Sequence, residues 1–177
     1  MNTGLLVVRA VIGLVLVGHG VQKLFGWFGG SGLTGAGEAM GAVGFRPGTL
    51  FAFVAGATET GGGLLLALGL LTPLAASAII GTMLNAALSA HVKKGFWLAN
   101  GGYEYTLILG GVAAGLGFTG AGAYSLDHAV GWTLGGTAWG LFALALALVI
   151  GMVTDLYRRR NLAVDRRRSG PAEASAA

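Results

Sequence analysis

The sequence predicts an all-α integral membrane protein: an antiparallel four-helix bundle with an additional C-terminal transmembrane helix. Three observations predict it. Hydrophobic residues make up 54% of the chain against 10% charged, with a mean hydropathy of +0.74; an ordinary soluble domain carries roughly 25% charged residues. Five apolar segments have the ~20-residue length that crosses a ~30 Å hydrocarbon core. The segments are joined mostly by short connections, which favour up-and-down packing. Glycine is 34 of 177 residues, but without a triplet period and with only 3 prolines, so collagen is excluded. A disordered chain and a coiled coil are excluded by the same composition.

Span 1 covers about 5–27. The first residues, Met1-Asn2-Thr3, lack a positive n-region and an evident cleavage site, so this stretch reads as a span and not as a signal peptide. Between spans 1 and 2, Gly29-Gly30-Ser31-Gly32 breaks the chain. Thr34 then caps a candidate interfacial helix with Met40, Val43 and Phe45 on its apolar face; a re-entrant or surface loop is the alternative. Span 2 covers about 48–70. Leu71-Thr72-Pro73 stops it and places proline near the first position of span 3, about 73–92. Span 4 covers about 100–118 and span 5 about 133–156. Gly56-x3-Thr60, Gly111-x3-Gly115, Gly131-x3-Gly135 and Gly136-x3-Gly140 have helix-contact spacing. They serve packing within the bundle or the face of a homo-oligomer. Aromatics (Phe25, Trp27, Phe28, Phe96, Trp97, Tyr103, Trp132, Tyr157) gather near the span ends, as in interface belts.

Residues 1–154 hold five Lys/Arg against four acids, and residues 155–177 hold six Arg against three. The basic pI is thus largely a property of the tail. It points to anionic membrane lipids as partner and away from nucleic acid, for which no basic face exists on the remaining chain. Loop 1–2 contains Lys23 and Arg46, loop 3–4 contains Lys93 and Lys94, and loops 2–3 and 4–5 contain no Lys or Arg. The positive-inside rule then puts the N-terminus outside and the C-terminus inside.

Charge at bilayer depth is costly, so each intramembrane ionisable residue is a site candidate. Arg9, His19 and Lys23 fall within one quadrant of span 1, with His19 and Lys23 one turn apart. By a rise of ~1.5 Å per residue, Glu59, His19 and Asn85 form a mid-membrane layer with Thr58, Thr60 and Thr82. Lys23, His91 and Glu104 form an inner layer. Arg9 sits above, within reach of Glu59. Two readings stay open. One is a structural network in which Glu59 is neutralised by Arg9 or His19 and Lys23 pairs with Glu104. The other is a site that binds a small molecule or moves protons.

Other chemistries fit less well. The chain has no cysteine, which excludes disulfides, thiolate chemistry and iron–sulfur ligation in this chain. His19 and His91 differ in depth by about a helical turn, which disfavours a shared haem. His19, Glu59 and His91 lack metal-ligand spacing, so no metal site is expected. Gly18-His19-Gly20 lies inside a span and is no nucleotide loop.

These residues resemble the DoxX family of small bacterial and archaeal membrane proteins. The resemblance rests on Arg9, then Gly18-His19-Gly20-x2-Lys23-Leu24, then Glu59-x-Gly61-Gly62 with Leu65, then Gly69-Leu70-Leu71-Thr72-Pro73-Leu74-Ala75-Ala76. His91, Gly102-x-Glu104, Gly120-Ala121-Gly122 and Ser125-Leu126-Asp127 complete it, over about residues 4–130. Ala121 stands where the family often has proline, and span 5 with its basic tail is an addition. The resemblance implies a four-helix membrane bundle in a bacterial or archaeal cytoplasmic membrane. It also implies redox partners: some relatives are similar to membrane subunits of thiosulfate:quinone oxidoreductases, and one is linked to a sulfurtransferase and a superoxide dismutase.

The chain accordingly divides into a bundle (1–130), a fifth transmembrane helix (131–157) and a disordered basic cytoplasmic tail (158–177). In the loop motif, Ser125 reads as an N-cap and Asp127 as an acid favouring the helix dipole. The expected function is a membrane subunit or anchor of an oxidoreductase complex connected with oxidative stress. Its polar site, around His19, Glu59 and Lys23, would meet a quinone or relay protons. The alternatives are an oligomeric small-solute or proton-coupled transporter and a non-catalytic scaffold.

Overall fold

The computed structural model describes residues 2–173, with side chains through Arg167. Helix α1 (Asn2–Phe25) leads through a short 3-10 turn to α2 (Gly32–Ala42), then α3 (Gly48–Leu68) and α4 (Thr72–Ala86). Helix α4 runs on through a π turn (Ala87–His91) and a 3-10 turn (Val92–Lys94). Helix α5 (Glu104–Thr119), the single turn α6 (Leu126–Ala129) and the long α7 (Thr137–Glu173) follow. Among the described residues there is no strand.

Four helical stretches are long and apolar enough to cross a membrane: Asn2–Phe25, Gly48–Leu68, Thr72–Lys94 and Thr137–Arg167. They correspond to expected spans 1, 2, 3 and 5. Expected span 4 is shorter than the sequence suggests. Residues 98–103 form a 3-10 turn and loop, so α5 has 16 residues and rises about 24 Å, short of the ~30 Å core.

Helix α1 lies antiparallel on α3, α3 on α4 and α4 on α5; α7 packs over α4 and α5. A core of Leu16, Leu66, Ala75, Ile79, Met83, Leu109, Ala113 and Leu116 joins the first four long helices. The α1–α3 crossing is backbone-close because both sides carry small residues. A Cβ on Gly20 would collide with Thr60 Oγ1 and come within 2.6 Å of the Gly56 carbonyl, while one on Gly18 would meet nothing within 4 Å. Gly20→Val is therefore expected to cost about 1–3 kcal/mol. Gly18→Val should stay within about 0.5 kcal/mol. Thermal unfolding of the two variants in one detergent checks the difference; equal melting temperatures would contradict this packing.

The antiparallel register defines two ends. The first holds the start of α1, the α3–α4 turn and the 119–136 loop. The second holds the α1–α2–α3 connections, residues 91–104 and the far part of α7. Every Lys and Arg except Arg9 belongs to segments at or near the second end. Exposed aromatics mark both ends: Phe25, Trp27, Phe28 and Trp97 at the second, Tyr124, Trp132 and Trp139 at the first.

The segment between α1 and α3 takes the helical alternative. Ser31 occupies the cap position and the helix starts at Gly32, ahead of Thr34. A Cβ on Gly37 would lie 2.8 Å from Thr49 Cγ2 and 3.0 Å from its Cα and N, so this helix sits against the start of α3 with no room for a larger residue there.

The tail differs from expectation. Residues 158–173, expected to be disordered, continue α7. The α2–α3 turn holds them: Arg158 Nη1 donates to Val43 O at 3.3 Å, Asn161 Nδ2 to Gly44 O at 3.0 Å, and Tyr157 Oη to Arg46 O at 2.8 Å. Asp155 neutralises Arg158 and Arg159, each at 2.6 Å, and Arg46 pairs with Asp165 at 2.7 Å. The disorder expected at 174–177 lies outside the described residues.

Candidate functional site

The polar residues of the bundle form two separate groups. The first sits at the first end, at the α3–α4 turn. Gly69 closes α3 in the left-handed conformation (φ 64°), and a Cβ there would lie 2.5 Å from Arg9 Nη1 and 2.6 Å from Ser125 Cβ. Glycine is needed on both counts. Arg9 is buried, and its guanidinium donates to the carbonyls of Ala67, Ala121 and Tyr124. Asp127, also buried, places its charge where Arg9 feels it. Its Oδ1 accepts from Leu71 N at 2.7 Å, and its Oδ2 accepts from Thr72 N at 3.1 Å and Thr72 Oγ1 at 2.7 Å.

Asp127 thus caps α4 across 55 residues, as well as standing in the first turn of α6. Its own turn is capped by Ser125, whose Oγ accepts from His128 N at 3.2 Å and donates to Gly122 O at 2.5 Å. The sequence suggested that Arg9 reaches Glu59; it does not, and Glu59 pairs with Lys23. The register sets Arg9 opposite Ala67, one whole helix-half away.

The second group lies deeper, towards the second end. Lys23 Nζ meets Glu59 Oε2 at 2.5 Å; Glu59 is buried, with its side chain 6% exposed, and Lys23 is 27% exposed. One turn up α1, His19 Nε2 and Tyr105 Oη are 2.9 Å apart, with the rings edge to face. Tyr105 is close enough to Glu59 to feel its charge. Two polar couples on α1, α3 and α5 therefore share one stretch of the bundle interior. Beside them Thr60 Oγ1 is buried without a hydrogen-bond partner; Asn85 Oδ1 on α4 is the other such atom among the described residues.

The expected layers are redrawn by this geometry. Lys23 leaves the inner layer to neutralise Glu59, so neither Arg9 nor His19 does so and Lys23 does not pair with Glu104. Asn85 turns back on its own helix, donating to Gly81 O at 3.0 Å. His91 Nδ1 bonds Gly101 O at 2.7 Å, and Glu104 Oε2 accepts from Leu98 N at 2.9 Å. These two shape the 91–104 connection and stand apart from the Lys23–Glu59 pair. Among the described residues no three His, Asp or Glu side chains converge.

Sequence reasoning missed Thr72 as the partner of Asp127, and the Asp155–Arg158–Arg159 cluster. The second was legible as i,i+3 and i,i+4 spacing; the first links residues 55 apart and has no local signal. Two clefts, of about 360 and 470 Å3, open at the first end. Thr119, Gly120, Asp127 and His128 line one, Leu71 and Trp139 the other, and Trp132 borders both. The His19–Glu59 group lies away from both, packed between helices.

The DoxX family model matches residues 4–92, from α1 through the π turn after α4. Arg9, His19, Lys23, Glu59, Asn85 and His91 fall inside the match; Glu104, Ser125 and Asp127 fall beyond it. No curated protein and no solved structure matches the chain.

Proposed function

This chain belongs to the DoxX family, and from that premise we propose that it is the membrane subunit of an oxidoreductase complex, with the His19–Tyr105 and Lys23–Glu59 couples as its working site. The observation that carries the reading is the placing of two titratable couples side by side on three helices inside an apolar bundle. A register lock needs one such pair. A second couple, with an unpartnered hydroxyl beside it, is the equipment for holding a small polar group or passing protons.

A quinone headgroup suits these residues. Its oxygens are acceptors, and Tyr105 Oη, His19 Nε2 and Lys23 Nζ are the donors that would hold them. When bound, a quinone would supply two-electron carrier chemistry. Glu59 would offset the Lys23 charge and pass protons on to the quinone oxygens as electrons arrive. The electrons would come from a partner subunit, since the chain has no cysteine to carry them.

We place the second end on the cytoplasmic side of the cytoplasmic membrane. The gathering of basic residues there supports this orientation, N-terminus outside and C-terminus inside.

The test is to purify the C-terminally tagged chain from its host in mild detergent and identify stoichiometric companions. The reading expects a recurrent oxidoreductase, sulfurtransferase or dismutase. It also expects Tyr105→Phe and His19→Phe to keep that companion while lowering quinone-reducing activity of the complex about tenfold or more. Absence of any companion across several extractions, or full activity in both variants, would refute it.

A further inference from the structure

Four arginines of α7 lie on one face of a helix that is clamped in place. At 3.6 residues per turn, positions seven apart coincide, so Arg159 stacks with Arg166 and Arg160 with Arg167, with Ala163 between the pairs. All four arginines and Ala163 are exposed. The opposite side carries Arg158, Asn161, Leu162 and Asp165, the residues seated on the α2–α3 turn. The stripe therefore faces away from the bundle on a helix held from its opposite side. Arg159 spends one edge of its guanidinium on Asp155 and is still 63% exposed.

Position relative to the bilayer decides what such a stripe fits. Residues 137–156 suffice to cross the ~30 Å core. Helix α7 then continues without a break, so the stripe runs along the direction in which the helix leaves the membrane. Arg159 and Arg160 stand about 5 Å beyond the core and Arg166 and Arg167 about 15 Å beyond it. The outer pair is thus about a Debye length above the headgroups, where attraction to anionic lipid has largely decayed. A flat lipid surface engages the inner pair in full and the outer pair only through side chains bent back along the helix, and the Arg46–Asp165 and Asn161–Gly44 contacts keep the helix itself from bending down.

We propose that the Arg159/Arg160/Arg166/Arg167 face is the docking surface for an acidic patch on a peripheral protein subunit standing on the membrane at the second end. The proposal rests on the reading of this chain as a membrane subunit and specifies where the soluble partner binds. Charge complementarity sets orientation and encounter there, while the clamp on the α2–α3 turn keeps the four arginine positions on one outward face of the helix.

In-cell photocrosslinking of the full chain tests it. Ala163 is replaced by a photoreactive amino acid, with Leu148 in the membrane face as a lipid-contacting control. The expected result is one recurrent protein adduct at position 163 whose crosslinked peptide is rich in Asp and Glu. Its yield should fall about tenfold or more when all four arginines become Gln. It should persist when they become Lys, and in isolated membranes it should weaken with added salt. Adducts with phospholipid alone, a protein adduct indifferent to the Gln changes, or no adduct from a chain present at normal abundance would each overturn the proposal. If the tagged Gln variant still purifies with an oxidoreductase companion, the docking surface fails and the subunit reading stands. If the charge-dependent adduct appears while Tyr105 and His19 variants keep full activity, the intramembrane site fails and the docking surface stands.

Discussion

Asp127→Ala is expected to lower the apparent melting temperature by about 10 °C. The carboxylate is 3% exposed and makes three hydrogen bonds to the start of α4 while its charge faces Arg9. Removing it leaves the Leu71 and Thr72 amides without acceptors and the Arg9 guanidinium, 1% exposed, without a counter-charge. Each buried donor left without an acceptor costs about 1–3 kcal/mol, and a chain of this size loses roughly 2–4 °C per kcal/mol. Asp127→Asn keeps an acceptor for the α4 amides and loses only the charge, so it should fall between wild type and Asp127→Ala. Thermal unfolding in detergent measures the series. Identical melting for all three proteins would mean that this corner does not hold the bundle together.

Glu59→Ala should be nearly as damaging, for the same reason: it strands the Lys23 ammonium, whose partner at 2.5 Å has gone. The informative protein is the double variant Lys23→Met with Glu59→Leu. Replacing a buried pair by apolar residues of similar volume is often neutral or stabilising, so the double variant should recover the melting temperature and abundance lost by the single one. If Lys23 and Glu59 only set helix register, activity recovers too. The proposed site predicts the opposite: a stable, fully assembled double variant with activity lowered about a hundredfold or more, since both the hydrogen-bond donor and the proton relay are gone. Complementation of a deletion strain under oxidative stress, alongside abundance and melting, separates the two outcomes.

Much of this protein was legible in the chain alone. Apolar length at Asn2–Phe25, Gly48–Leu68, Thr72–Lys94 and Thr137–Arg167 determined the membrane class and the helix order, because lipid offers backbone groups no partner but the helix itself. The Leu71-Thr72-Pro73 stop, the Ser125 cap and the aromatic ends were legible for the same reason. Each depends on residues within a turn or two of one another. The candidate residues were legible as types, since a Lys, His or Glu inside a span is rare enough to stand out.

Only the tertiary structure decided which of them meet. Glu59 had Arg9, His19 and Lys23 within plausible reach, and the glycine-lined contact of α1 on α3 fixed a register that selects Lys23 and sends Arg9 to the other end. Depth along an axis can be counted from a sequence; rotation of one helix against another cannot, because it depends on which small residues let the backbones touch. The tail shows the same division. Six arginines and a polar composition read as a solvated, unfolded segment, yet Arg158, Asn161 and Asp165 find partners on the α2–α3 turn, and the helix continues beyond its apolar stretch. Those partners lie more than 110 residues away in sequence, and no local pattern announces them.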